Sequence, residues 1–306
     1  MSGEGGELRQ MRFHFGERDR CGDGPLEAAV MDACARRGVR AAALMRGVEG
    51  FGAKQRLRTD RLLSLSEDTP LIAVAVGEPE VVEGLAEEVS GMASEGLIVL
   101  EDEDARTAPE DVVKATIWGP RRGPAAPHLD AVAALKRHGA ESATVLLGVD
   151  GVLDGERRRA RFVAGNRGVP AMTVGVGTRA AIDAALAEID GASRVRGGRD
   201  GEAVRVTLVT SEVASRGAHP VYLEFIHQLR REGAPGATAQ RGVWGFRGEG
   251  EPHGDRVLAL RRDVPLVVEV VDTPERAERW HELALELACE GDVVYVESVP
   301  KAVTLT

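Results

Sequence analysis

The chain has 306 residues, 43% of them hydrophobic, with 39 Lys+Arg against 49 Asp+Glu for a formal charge of −10. That length predicts two or three domains, and net acidity argues against a dedicated nucleic-acid binder. With no apolar run near the roughly 18 residues of a membrane helix, no secretion signal, and only Cys21, Cys34 and Cys289 far apart, the sequence reads as soluble and cytoplasmic, without disulfides.

Met11, Phe13 and Phe15 alternate with Arg12 and His14, the period-two pattern of a strand with one wet face. Pro25 opens a helix whose Leu26, Ala29, Val30 and Ala33 share one stripe, and Gly38 closes it. A short strand at 41–46 follows, then a glycine-containing loop, then a strand at 71–76. Residues 79–91 read as a second helix and 97–100 as a fourth strand. The order βαββαβ predicts a ferredoxin-like unit of the α+β class, with two helices on one face of a four-stranded antiparallel sheet.

The same punctuation returns twice. Helix-opening Pro25, Pro127 and Pro220 are followed by Gly38, Gly139 and Gly233 after 13, 12 and 13 residues. A second glycine (Gly47, Gly148, Gly242) comes 9 residues later each time, and a strand-opening proline (Pro70, Pro170, Pro265) 23, 22 and 23 residues after that. The chain therefore divides into tandem units at 1–106, 107–200 and 201–306, the middle one ending near Val195, with polar linkers at 102–111 and 191–202. Near-continuous apolar runs at 70–76 and 265–271 predict strands buried on both faces. Helices cover only one face. The others must meet, so three sheets are expected to close around a pseudo-threefold axis within one monomeric chain, an intramolecular pseudo-trimer. Pairing of two units, with the third dimerising, is the other arrangement this pattern allows.

The segment Arg46-Gly-Val-Glu-Gly-Phe-Gly52, with Arg61-Leu-Leu-Ser-Leu-Ser-Glu-Asp68 and Pro70 after it and Gly16-Glu17 and Gly24-Pro25-Leu26 before it, resembles the PII-like family known as domain of unknown function 190. The likeness covers residues 8–102 and returns through Arg241-Gly-Val-Trp-Gly-Phe246; the middle unit, with Leu147-Gly-Val-Asp-Gly-Val152, keeps mainly the spacing. The resemblance implies trimers of ferredoxin-like subunits that bind small effectors in clefts between subunits. It also implies a loop after the second strand that meets the ligand or a partner protein. The family brings no established activity, and the frequent neighbourhood of family genes to fluoride exporters points to ion or stress physiology.

Gly47–Gly52 meets the first six positions of a phosphate-binding loop, but Lys54 arrives one place late and Gln55 supplies no hydroxyl. These glycines are expected either to permit left-handed backbone at a hairpin or to approach a ligand closely. Gly175-Val-Gly-Thr-Arg-Ala180 imitates a dinucleotide fingerprint, yet it aligns with Gly77 and Asp272 as a strand-to-helix corner. The loops after the second strands are basic: +3 from Arg46 to Arg61, +2 from Asp154 to Arg161, and neutral from Arg241 to Arg256. Arginines there suit phosphate or carboxylate ligands. No metal motif and no nucleophile elbow is present, so no metal, cofactor or catalytic residue is expected. The expectation is a non-enzymatic regulatory module binding a small anionic effector such as an adenine nucleotide. Arg46, Glu49, Gly50, Phe51 and Gly52 would frame one inter-unit cleft, and Arg241, Trp244, Gly245 and Phe246 another, with Trp244 available to stack a purine. The alternative is an interaction module docking on a membrane transporter through its arginine loops, with no small ligand.

Overall fold

The computed structural model describes residues 8–51, 57–59, 69–102, 112–120, 127–153, 155–160, 168–189, 203–217, 219–251, 253–254 and 264–305. Gly52, most of the basic loops, the linkers and the expected strand toward Val195 lie outside them.

The first segment runs β1 (Arg9–Gly16), the short hairpin β2 (Arg20–Cys21) and β3 (Gly24–Pro25), α1 (Leu26–Arg37), β4 (Ala41–Arg46), β5 (Glu49–Phe51), β6 (Leu57–Thr59), β7 (Pro70–Gly77), α2 (Pro79–Met92) and β8 (Gly96–Asp102). The second runs β9 (Val112–Pro120), α3 (Pro127–Arg137), β10 (Ser142–Leu147), β11 (Asp150–Leu153), β12 (Glu156–Arg159), β13 (Pro170–Thr178) and α4 (Arg179–Glu188). The third runs β14 (Ala203–Ser211), the hairpin β15 (Ser215–Arg216) and β16 (His219–Pro220), α5 (Val221–Arg231), β17 (Ala237–Arg241), β18 (Trp244–Arg247), β19 (His253–Gly254), β20 (Pro265–Asp272), α6 (Pro274–Leu287), β21 (Val293–Val299) and β22 (Lys301–Leu305). The class is mixed α+β, with six helices and antiparallel sheets among the described residues.

Punctuation sets these boundaries. Gly38, Gly139 and Gly233 sit at φ 69°, 80° and 79°, left-handed conformations that only glycine adopts cheaply, and they stop α1, α3 and α5. The Gly175–Ala180 stretch is the tail of β13 and the start of α4: Thr178 Oγ1 accepts from the Ala181 N–H at 3.3 Å, capping the helix.

Three large sheets result. The first has the order β12-β11-β4-β7-β1-β8-β22, the second β19-β18-β10-β13-β9, and the third β21-β14-β20-β17-β5-β6. Each therefore contains strands from another segment. The hairpin β5–β6 leaves the first segment to pair on β17, β11–β12 leaves the second to pair on β4, and β18–β19 leaves the third to pair on β10. The exchange is cyclic, each hairpin covering the open edge of a neighbour's second strand. The C-terminal β22 adds to β8 at the far edge of the first sheet.

Each helix pair packs on one face of its sheet over an apolar core: α1 and α2 over Met11, Phe13 and Phe15, α3 and α4 over Ala115 and Ile117, α5 and α6 over Val206 and Leu208. The opposite faces meet one another. Ile72, Val74, Trp118 and Met172 join the first and second sheets, Val176, Val209 and Tyr295 the second and third, and Val99, Val271 and Val299 the first and third. Strands β7 and β20 are buried along their whole length, as the near-continuous apolar runs predict. The wet face expected for β1 is corrected here. Arg12 is 1% exposed and His14 keeps only a partly open edge, because the alternate side of β1 faces the other two sheets.

Candidate functional site

The glycine motif occupies the same place three times, where each hairpin crosses to its neighbour. The N–H groups of Gly47, Gly148 and Gly242 donate to the carbonyls of Pro70, Pro170 and Pro265 at 2.7, 3.0 and 2.8 Å. The next residues, Val48, Val149 and Val243, donate to Ala239, Leu44 and Val145 of the adjoining strand at 2.8, 2.7 and 2.8 Å. The second glycine lies flat against that strand. A Cβ on Gly50 would stand 2.6 Å from the Ala237 carbonyl oxygen, and on Gly151 or Gly245 closer still to those of Ala42 and Ala143. Backbone contact, rather than a left-handed turn, explains Gly47 and Gly50, neither of which has positive φ.

The residue after that glycine is an anchor. Phe51 enters the core beneath α5 and α6, Val152 that beneath α1 and α2, and Phe246 that beneath α3 and α4. Phe246 is wholly buried, with Lys136 Nζ 4.8 Å from its ring centroid, and Trp244 is half-buried against the same core. Phe51 and Phe246 therefore fill neighbouring cores and leave no ring face for a ligand. Glu49 is buried too, and Gly50 and Gly245 are taken up by the strand crossing. Of the residues expected to frame clefts, half-buried Trp244 and the two arginines keep solvent access: the Arg46 side chain is 50% exposed and Arg241 24%. Arg46 donates to Glu17, and Arg241 to Glu212.

The arginines of β12 are occupied. Arg157 donates to both oxygens of buried Asp150 at 3.1 and 2.7 Å and also to Asp32 of α1, while Arg159 donates to Glu27 of α1 at 2.9 Å. They fasten the second segment's hairpin to the first segment's helix.

Between the sheets lies a group that sequence reading missed. Arg12, Lys114 and Arg205 meet Glu101, Glu269 and Glu297, three charges of each sign, all buried. Lys114 Nζ donates to Glu101 at 3.1 Å and Glu297 at 3.0 Å, and Arg205 to Glu297 at 3.2 Å and to Glu101. Arg12 donates to Glu269 at 2.6 Å and to Gln240 at 3.3 Å. The six come from β1, β8, β9, β14, β20 and β21, so all three sheets contribute. The sequence signal was a lone charge within apolar strand segments: Arg12 in β1, Lys114 in β9, Arg205 in β14, Glu269 in β20 and Glu297 in β21.

Burial alone would raise the Glu269 carboxyl, but Arg12 and Arg205 outweigh it and hold its pKa down at about 2. Burial, then Arg12, depresses His14 to about 3. Both folded-state values lie below those of the unfolded chain, so both groups lend stability at neutral pH and lose it as pH falls. The urea midpoint is expected to drop from pH 6.5 downward through His14, and from pH 4.5 toward 2 through Glu269 as well, the latter at up to about 1.4 kcal/mol per pH unit. His14→Phe should flatten the first part and make the second shallower down to about pH 3, leaving the Glu269 contribution; a midpoint constant from pH 7 to 3 would refute this account.

Cys34, on the buried face of α1, has its thiol pushed up to about 12, first by burial. It should resist alkylation at pH 8 until the chain unfolds, whereas half-buried Cys21 and Cys289 react earlier.

Among the described residues no helix is long and apolar enough to cross a membrane, and no cluster of His, Cys, Asp and Glu could hold a metal ion. A "UPF0166 protein" of Aquifex aeolicus is 31% identical over 75 residues, covering 24% of this chain and 71% of that protein. Likeness to solved structures is low. An aspartate kinase from Synechocystis aligns with 95% of this chain and 44% of its own at 9% identity and a TM-score of 0.31. An anthrone oxidase-like protein aligns with 64% of this chain and 92% of its own at 10% identity and a TM-score of 0.18. The profile of the DUF190 family, described as "Uncharacterized ACR", matches residues 8–105 and 203–300, the two segments whose hairpins carry Phe51 and Phe246, and the chain belongs to that family.

Proposed function

We propose that this chain is three tandem copies of a ferredoxin-like, PII-like unit, the middle one divergent, closed on itself as a pseudo-trimer. In this reading it is a regulatory module without catalytic activity that binds a small anionic effector, such as an adenine nucleotide, at the junctions between units. The observation that carries it is the cyclic exchange of hairpins, which sets Arg46 and Arg241, both reachable from solvent, beside the point where one unit's chain crosses to the next. Guanidinium groups at such crossings suit phosphate, and an effector there would touch the loops that follow the second strands. Docking on a transporter through the arginine loops is the weaker reading, because Arg157 and Arg159 already engage Asp150, Asp32 and Glu27. Titration calorimetry of the full chain with ATP, ADP, AMP and cyclic dinucleotides tests the proposal. Measurable heat with one of these is expected; absent heat with all of them would overturn it.

A further inference from the structure

The two exposed arginines share a construction that the middle segment lacks. Arg46 ends β4 and pairs with Glu17, the first residue after β1; Arg241 ends β17 and pairs with Glu212, the first residue after β14. At the corresponding positions the middle segment has Leu147 at the end of β10 and Arg121 after β9, the latter outside the described residues. Each guanidinium thus already holds a carboxylate that is itself part-exposed, Glu17 at 29% and Glu212 at 19%.

We infer that Glu17 and Glu212 are built-in occupants of two anion positions, and that an effector binds by displacing them, at two sites per chain rather than three. This rests on the proposed effector-binding role and narrows it to a ligand class. A monovalent carboxylate ligand would exchange one carboxylate for another with little gain. A phosphate group, carrying about −1.5 to −2 charge and three acceptor oxygens, gains at the same guanidinium. The acid therefore selects phosphate over carboxylate.

The test is calorimetry on the full chain with ATP and, separately, inorganic pyrophosphate and acetate, using Glu17→Gln, Glu212→Gln and Arg46→Ala. Two ATP per chain are expected, falling to one in Arg46→Ala, with acetate silent. Each Glu→Gln change should tighten its site about two- to fivefold, the scale of a part-exposed ion pair. Pyrophosphate binding as tightly as ATP would place the recognition in the phosphates alone; binding of ATP but not pyrophosphate would show that the nucleoside contributes. Three equal sites, or binding unchanged or weakened by Glu→Gln, would overturn the inference while leaving effector binding intact. No heat from any phosphate compound, in wild type or in either Glu→Gln variant, would overturn both.

Discussion

Gly245→Ala should cost about 4 kcal/mol or more of unfolding free energy, far beyond the roughly 0.5–1 kcal/mol by which Ala and Gly ordinarily differ. Gly245 pairs opposite Thr144, and an added Cβ would collide with the backbone carbonyl of Ala143, which no rotamer change relieves. Strand β18 would have to lift from β10. Phe246 follows at once, and it is wholly buried beneath α3 and α4. Loss of a buried Phe costs about 3–5 kcal/mol, and the Lys136 contact with its ring goes with it. Gly151→Ala meets the same obstacle at Ala42 but releases only Val152, so it should cost less. Gly91→Ala is the control. Nothing lies within 4 Å of a Cβ there, on α2, so a small gain in stability is expected. Urea denaturation of the three variants decides it, and a Gly245→Ala midpoint equal to wild type would rule out the crossing as described.

Arg205→Met should lose about 3–5 kcal/mol by leaving buried charge unmatched. The guanidinium bridges Glu297 and Glu101, with its Nε 3.9 Å from Glu269, so its removal leaves three buried carboxylates against two cations. Methionine replaces the aliphatic stem but stops short of the guanidinium, so the loss combines unmatched charge with a small cavity. Adding Glu297→Gln restores the balance and should recover part of the loss, an interaction that a double-mutant cycle isolates. If the double variant is as unstable as the sum of its parts, the six residues do not act as a network.

Much of this architecture is written in local punctuation. Pro25 and Gly38 bound α1, Pro79 opens α2, and Ala41–Arg46 is a strand because such signals act within a few residues. What stayed hidden is what depends on residues far away in the chain. Alternation in β1 separates Arg12 from Phe13 but says nothing of the medium on either side. The carboxylate that Arg12 meets, Glu269, lies 257 positions later. Likewise Phe51 and Phe246 sit in glycine-rich segments that resemble ligand loops until the neighbouring core they enter is known. The glycines were legible as constraints; that a strand, rather than a ligand, makes the close approach was not. The arginines Arg46 and Arg241 were visible at once, but the acids that hold them, Glu17 and Glu212, become their partners only when β1 lies beside β7 and β14 beside β20.

The attachment of β22 to β8 has a consequence for synthesis. Residues Lys301–Leu305 are made after the second and third segments, yet they complete an edge of the first segment's sheet, whose other edge waits for Asp150–Leu153. The nascent first sheet therefore keeps an unpaired border while the two later segments are synthesised, the condition under which strands join wrong partners.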